Sequence, residues 1–232
     1  MDLMKKTLEA GLPELGLTLS EETVNTLCGF GRAMVKQNEV MNLTGITEDS
    51  AVAKLHLLDS LTVMASAELS GKRLIDVGCG AGFPGVPLAI ASGAQITLLD
   101  SLGKRMKWLE TVLPTLGVQA ECVTARAEEA VATRRESYDF ATSRAVARLN
   151  ILLELTAPYV KVGGAVLAMK GALAREELAE CENAIRKLGL KLEEVKEFPI
   201  DGANHAVIIL RKIKPTPAQY PRRFAKIKQA PL

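Results

Sequence analysis

Arg73-Leu-Ile-Asp-Val-Gly-Cys-Gly-Ala-Gly-Phe-Pro-Gly85 decides how this 232-residue chain folds. Leu74, Ile75 and Val77 read as a short buried strand. Gly78, Gly80 and Gly82 follow as a tight loop, and Pro87-Leu-Ala-Ile90 as the helix behind it. Glycine lets backbone approach a ligand with no Cβ in the way. A helix start just past such a loop offers free N–H groups to an anionic group. Asp100 closes a second apolar strand, Gln95-Ile-Thr-Leu-Leu99, 22 residues after Gly78. An acid at that distance, on the end of the second strand, can bind two ribose hydroxyls at once. The unit reads as a nucleoside-cofactor site.

The loop does not follow the dinucleotide spacing G-x-G-x-x-G. It runs G-x-G-x-G-x-x-G, with Asp76 two residues before the first glycine, and Phe83 and Pro84 stand where helix–strand packing would need a third glycine. The D-x-G-x-G-x-G pattern resembles motif I of the class I S-adenosylmethionine-dependent methyltransferases. That resemblance implies that the loop holds the methionine part and Asp100 the ribose.

Around this unit the chain alternates strand and helix. Strands are expected at 73–77, 95–99, 120–124, 138–142, 164–169, 191–198 and 205–213. Helices are expected at 85–92, 103–116, 126–133, 146–158 and 174–188. Such alternation gives a mostly parallel, Rossmann-like sheet of seven strands with helices on both faces, closed by a hairpin that adds an antiparallel strand. Residues 1–65 read as an N-terminal helical cap. Ser20 is the expected N-cap of a helix carrying Val24, Leu27, Phe30, Met34 and Val35, Asn42-Leu-Thr-Gly45 is a break, and Ser50 is the expected start of another helix. Residues 66–213 form the expected cofactor-binding core, and residues 214–232, with four prolines, an extended basic arm.

Charge is unevenly placed along the chain. Net charge is +2, yet residues 1–65 carry 5 basic and 9 acidic groups, whereas residues 211–232 carry 7 basic groups and no acid. A basic tail on a near-neutral body suits a polyanionic partner. The four cysteines, Cys28, Cys79, Cys122 and Cys181, are too scattered for a zinc site or a disulfide framework. No apolar run reaches 18 residues and no signal peptide is evident, so the expected setting is the cytoplasm, off the membrane, with a monomer as default.

Several chemistries lack their residues. Thr142-Ser-Arg-Ala145 stands where amino-group methylases carry Asp/Asn-Pro-Pro-Tyr/Phe, and no cysteine nucleophile lies near the fourth or fifth strand. No acidic cluster suits a metal-dependent O-methylase, so no metal is expected. Guanine N7 fits what remains. It carries a lone pair and no proton, and attack on a sulfonium methyl then requires alignment rather than a base.

Lys36-Gln-Asn-Glu-Val-Met-Asn-Leu-Thr44, His56-Leu-Leu-Asp-Ser-Leu61, Asp76 through Ile90, Ser143-Arg-Ala145 and Tyr220-Pro-Arg-Arg223, in this order, resemble the ribosomal-RNA small-subunit methyltransferase G family. The resemblance implies methyl transfer from S-adenosylmethionine to guanine N7 in bacterial small-subunit (16S) ribosomal RNA, with that RNA or the ribosomal subunit as partner. Two other readings stay open: a non-catalytic RNA-binding or assembly protein on the same fold, and a small-molecule methyltransferase.

Gly78, Gly80 and Phe83 are the candidates to line the cofactor pocket, with Phe83 equally a core residue. Asp100, Ser101 and Leu102 would meet ribose and adenine, although Ser101 also reads as a plain helix N-cap. The family resemblance puts Ala127 and Glu128 against the adenine. Arg144 follows the fourth strand at the active-site edge, within reach of cofactor, target base or phosphate, or in an ordinary salt bridge. Lys170 ends the fifth strand at the same edge, as an RNA contact or a loop start. His56 and Asp59 form a local pair or pack the cap onto the core. In the tail, Arg211, Lys212, Lys214, Arg222, Arg223, Lys226 and Lys228 are interleaved with Tyr220 and Phe224, a mixture suited to phosphates and exposed bases. Lys104 and Arg105 read as solvated charges flanking the start of the 103–116 helix, with an RNA contact as the other reading. Arg144, Lys170 and Arg222 are the candidates to hold the target guanine.

Overall fold

A computed structural model describes residues 2–232; Met1, the first residue of the expected cap, lies outside them. Seven strands form one sheet in the order β3-β2-β1-β4-β5-β7-β6. They are β1 (Arg73–Val77), β2 (Gln95–Asp100), β3 (Glu121–Thr124), β4 (Tyr138–Arg144), β5 (Val160–Lys170), β6 (Leu190–Ile200) and β7 (Ala203–Lys212). The first five pair in parallel, and β7 runs antiparallel to both β5 and β6. The apolar strand runs thus become the buried centre of a doubly covered sheet.

Alternation along each strand divides the core in two. Leu74, Leu98, Leu167 and Ile209 face one layer, built from α1 (Leu3–Gly11), α2 (Glu21–Met41), α5 (Gly85–Ala91) and α6 (Gly103–Thr115). Ile75, Leu99, Val166 and Ile208 face the other, built from α7 (Ala127–Arg134), α8 (Leu149–Thr156) and the segment around Ala184. The N-terminal helices therefore share a core with the sheet. Phe30 of α2 is fully buried, with its ring 5.2 Å from that of Phe83.

Local signals explain most boundaries. The Ser20 side chain accepts from the Thr23 N–H, as the N-cap reading expects, and Asn42 ends α2 in the left-handed conformation at φ 48°. The next helix differs from expectation. Glu48, not Ser50, caps α3 (Asp49–Val52), taking the N–H groups of Ser50 and Ala51. The chain then widens into a π-helical turn, Ala53–Leu58, before α4 (Asp59–Leu61). The helix expected over 174–188 is two pieces, α9 (Ala174–Ala179) and α10 (Glu182–Lys187).

The tail is not an extended arm. It docks on the body and ends in α11 (Phe224–Gln229), with Ile227 fully buried. The Thr216 N–H donates to Glu136 Oε1 and its hydroxyl to the Leu188 carbonyl. Glu154, itself fully buried, accepts from the backbone N–H, Nε and Nη2 of Arg222 at 2.6 to 2.8 Å. A buried carboxylate requires such a partner, and here the tail supplies it.

Candidate active site

The carboxyl ends of β1, β2, β3 and β4 open into a cleft of about 410 Å³, a size usual for small-molecule sites. Its lining includes Gly78 and Gly80, Phe83, Asp100 and Ser101, Ala127 and Glu128, and Arg144. The structure therefore brings eight of the candidate residues to one place. Leu102 is half exposed and outside the lining; only its backbone N–H takes part, by holding Asp100.

The loop after β1 closes because its glycines adopt left-handed conformations that other residues rarely take. Gly78 has φ 76°, and a Cβ there would stand 2.5 Å from Val146 Cγ2. The N–H groups of Gly78 and Cys79 both reach the Leu99 carbonyl, tying the loop to β2. Asp76, fully buried in β1, lies behind the loop rather than in it. Its Oδ2 accepts from Gly85 N–H at 2.7 Å, at the start of α5, where a negative group suits the helix dipole. Its Oδ1 is the one buried side-chain polar atom without a partner among the described residues, and burial pushes this acid up to about 7.

Asp100 supplies the acceptor of the cleft. The Gly80 N–H donates to its Oδ2 at 2.9 Å and the Leu102 N–H to its Oδ1 at 2.8 Å. Two backbone donors fix the carboxylate, and each oxygen keeps acceptor capacity for a hydroxyl. Ser101 is not a helix cap: Leu102 occupies the N-cap position of α6, with no side-chain cap bond. Glu128 lies in the first turn of α7. Arg105, expected as a solvated charge, instead joins the lining.

The opposite wall is a polar cluster that joins the cap to the sheet. Arg144 donates to Asp59 Oδ2 at 2.7 Å, to the Leu55 carbonyl at 2.9 Å and to His56 Nδ1 at 3.1 Å. Its guanidinium also lies 5.3 Å from the Phe83 ring centroid, a cation–π distance, and His56 stacks on the same ring at 4.7 Å. His205 of β7 binds Asp59 Oδ1 at 2.8 Å. His56 and Asp59 thus meet through Arg144 rather than as a local pair.

The electrostatics follow from burial and partners. Burial, and then the Arg144 charge, bring His56 down to about 4, so it is neutral at pH 7. Burial opposes ionisation of Asp59, yet the bonds from His205 and Arg144 outweigh it and hold its pKa below the usual value. The same bond to Asp59 raises His205. Burial pushes the Cys79 thiol well above its usual value.

The other basic candidates lie elsewhere. Lys170 is not in the lining: its ammonium binds Glu177 Oε2 at 2.8 Å and the Ala147 carbonyl at 2.6 Å, and its side chain is mostly buried. Arg222 is held by Glu154. Arg211 pairs with Glu193, and Lys212 is buried on the carbonyls of Ala157 and Val160. Arg223, Lys226 and Lys228 are exposed and form no ion pair among the described residues, while Phe224 reaches the cleft lining. Among the described residues no cluster of His, Cys, Asp and Glu could hold a metal ion. Thr44 and His205 are the polar groups that sequence reasoning passed over. Thr44 lay inside a stretch quoted for its family resemblance, whereas no local pattern marks His205.

The fold resembles that of a putative methyltransferase of Bacillus halodurans (TM-score 0.53, 15% identity, 67% of this chain and 99% of that one). It also resembles that of TYW2 of M. jannaschii, crystallised with AdoMet (TM-score 0.56, 15% identity, 68% and 76%). At such identities the likeness concerns the fold, that of the class I methyltransferases. Sequence relatives are nearer. A ribosomal RNA small subunit methyltransferase G of Alkaliphilus metalliredigens is 43% identical over 226 residues, covering 94% of this chain and 95% of that protein. One of Clostridium perfringens is 40% identical over 238 residues, covering 100% and 98%. The family model described as rRNA small subunit methyltransferase G matches residues 23–206, and the chain belongs to that family.

Proposed function

We propose that the cleft binds S-adenosylmethionine and that the chain transfers its methyl group to N7 of a guanine in small-subunit ribosomal RNA. Membership of the family makes the chain a methyltransferase of small-subunit ribosomal RNA that depends on S-adenosylmethionine. The observation that carries the cofactor assignment is Asp100, a carboxylate fixed by two backbone N–H groups at the end of β2. Its spare acceptor capacity suits the two hydroxyls of a ribose. Gly78 and Gly80 then cradle the chain beyond the ribose. Ser101, Leu102, Ala127 and Glu128 would hold the adenine, and Phe83 and Arg144 would line the methionine end.

The cofactor supplies a methyl carbon made electrophilic by a sulfonium, and the protein has to align it. The Arg144 wall holds no free base: both ring nitrogens of His56 are engaged and its pKa is about 4. A nucleophile that reacts there must bring a lone pair without a proton to lose, as guanine N7 does. Exposed Arg223, Lys226 and Lys228 beside Phe224 offer phosphate contacts and a stacking surface at the mouth. Lys170 and Arg222, bound internally, act here through packing. The three-part organisation of 1–65, 66–213 and 214–232 gives a wall, a cofactor core and a docked basic tail.

No helix among the described residues is long and apolar enough to cross a membrane. We place the protein in the cytoplasm as a monomer. Equilibrium dialysis with labelled S-adenosylmethionine tests the cofactor site. Asp100→Ala is expected to weaken binding at least about tenfold, the worth of one or two hydrogen bonds to a charged group. Unchanged affinity in a folded variant would refute the assignment.

A further inference from the structure

The loop between α2 and α3 brings Thr44 into the cleft lining, next to His56. Three hydrogen bonds fix which way protons point along this wall. A guanidinium only donates, so Arg144 Nη2 makes His56 Nδ1 an acceptor at 3.1 Å. A neutral imidazole that accepts at Nδ1 carries its hydrogen on Nε2. That hydrogen points to Thr44 Oγ1, 2.9 Å away. The Ile46 N–H donates to the same oxygen at 3.0 Å. A hydroxyl accepts two hydrogen bonds and donates one. Both acceptor places of Thr44 are filled, and its own hydrogen has no acceptor among the described residues. Phe83, stacked on His56 with planes 18° apart, holds the imidazole in the orientation the relay needs.

We propose that Thr44 is a ligand-contacting donor of fixed polarity, set by the Arg144–His56 relay, that recognises an acceptor oxygen of whatever occupies this end of the cleft. The inference rests on the cleft being the methyl-transfer site. Two oxygens there share the required chemistry, the methionine carboxylate of the cofactor and the O6 carbonyl beside N7 of the target guanine. If the partner is O6, Thr44 is specificity-determining, because adenine presents an amino donor at that position and would meet donor with donor.

Cofactor affinity by equilibrium dialysis and kcat/KM for small-subunit RNA are measured for wild type, Thr44→Ser and Thr44→Val, with Asp100→Ala alongside. Thr44→Ser keeps the hydroxyl and is expected within about twofold of wild type. Thr44→Val is expected to lose about tenfold, the worth of one hydrogen bond. A loss in cofactor affinity identifies the carboxylate, and a loss in kcat/KM for RNA with cofactor affinity intact identifies the base. Equal values for Thr44→Val and wild type, or an equal loss in Thr44→Ser and Thr44→Val, would overturn the proposal. If Asp100→Ala still binds cofactor as wild type does, the cleft reading fails instead. A long-range 15N–1H spectrum of the wild-type histidines checks the relay without mutation. His56 should be protonated at Nε2, and a proton on Nδ1 would overturn the assigned polarity.

Discussion

His56 is buried between a guanidinium and an aromatic ring, and protonation there opposes folding. Its pKa is 6.5 unperturbed and about 4 in the fold, so between those values the unfolded chain binds a proton that the folded chain excludes. Stability therefore falls as pH drops through that window. His205 has the opposite sign: its raised pKa stabilises fully below 6.5, and that contribution is lost as pH rises through the folded value. Comparing wild type with His56→Gln isolates the first effect. Wild type should lose about 1 to 2 kcal/mol more than the variant between pH 7 and pH 5 in urea unfolding. Equal losses would show that His56 is not held neutral. The half of the cleft around Asp100 was legible in the sequence, because the glycine loop and its acid lie on consecutive strands with a recognisable spacing. The other half was not. Asp59 lies 85 residues from Arg144 and 146 from His205, and no local pattern joins them.

Tail and body show how charge counts mislead at the level of segments. Seven basic residues over 211–232 suggested a polyanion-binding tail and four prolines an extended arm over 214–232, yet Arg211 and Lys212 are engaged within β7, where the expected strand 205–213 put them, and Glu154 of α8 captures Arg222. Arg222→Ala would strand a fully buried carboxylate, and unfolding should show a loss of about 3 kcal/mol. Arg223→Ala and Lys226→Ala should leave stability unchanged within about 0.5 kcal/mol and weaken RNA binding, each lowering the slope of log affinity against log salt by about 1. A stable Arg222→Ala, or an unchanged salt slope in the exposed pair, would contradict this division. The central strands were readable because β1, β2 and β5 carry apolar runs bounded by polar or glycine residues; β6 (Leu190–Ile200), largely polar and exposed, was placed by its position in the closing hairpin. The π-helical turn was not, since Ala53–Leu58 has the composition of any helix. Yet that turn carries the Leu55 carbonyl that receives Arg144.

Taken together, the cap, the sheet and the tail close around one opening. The cap shares its core with α5 and α6, β4 and β7 contribute Arg144 and His205, and α11 brings Phe224 to the mouth. The cleft and the exposed basic residues of the tail therefore depend on the same packing, and the chain should act as a single folded unit. The most direct measurement is methyl transfer itself. Small-subunit RNA and intact small subunits are incubated with methyl-labelled S-adenosylmethionine and wild type or Asp100→Ala, then digested to nucleosides and separated. The expected result is label in N7-methylguanosine with wild type and none with the variant. Label in another nucleoside, or in N7-methylguanosine at equal rate with Asp100→Ala, would contradict the site and the reaction argued from it.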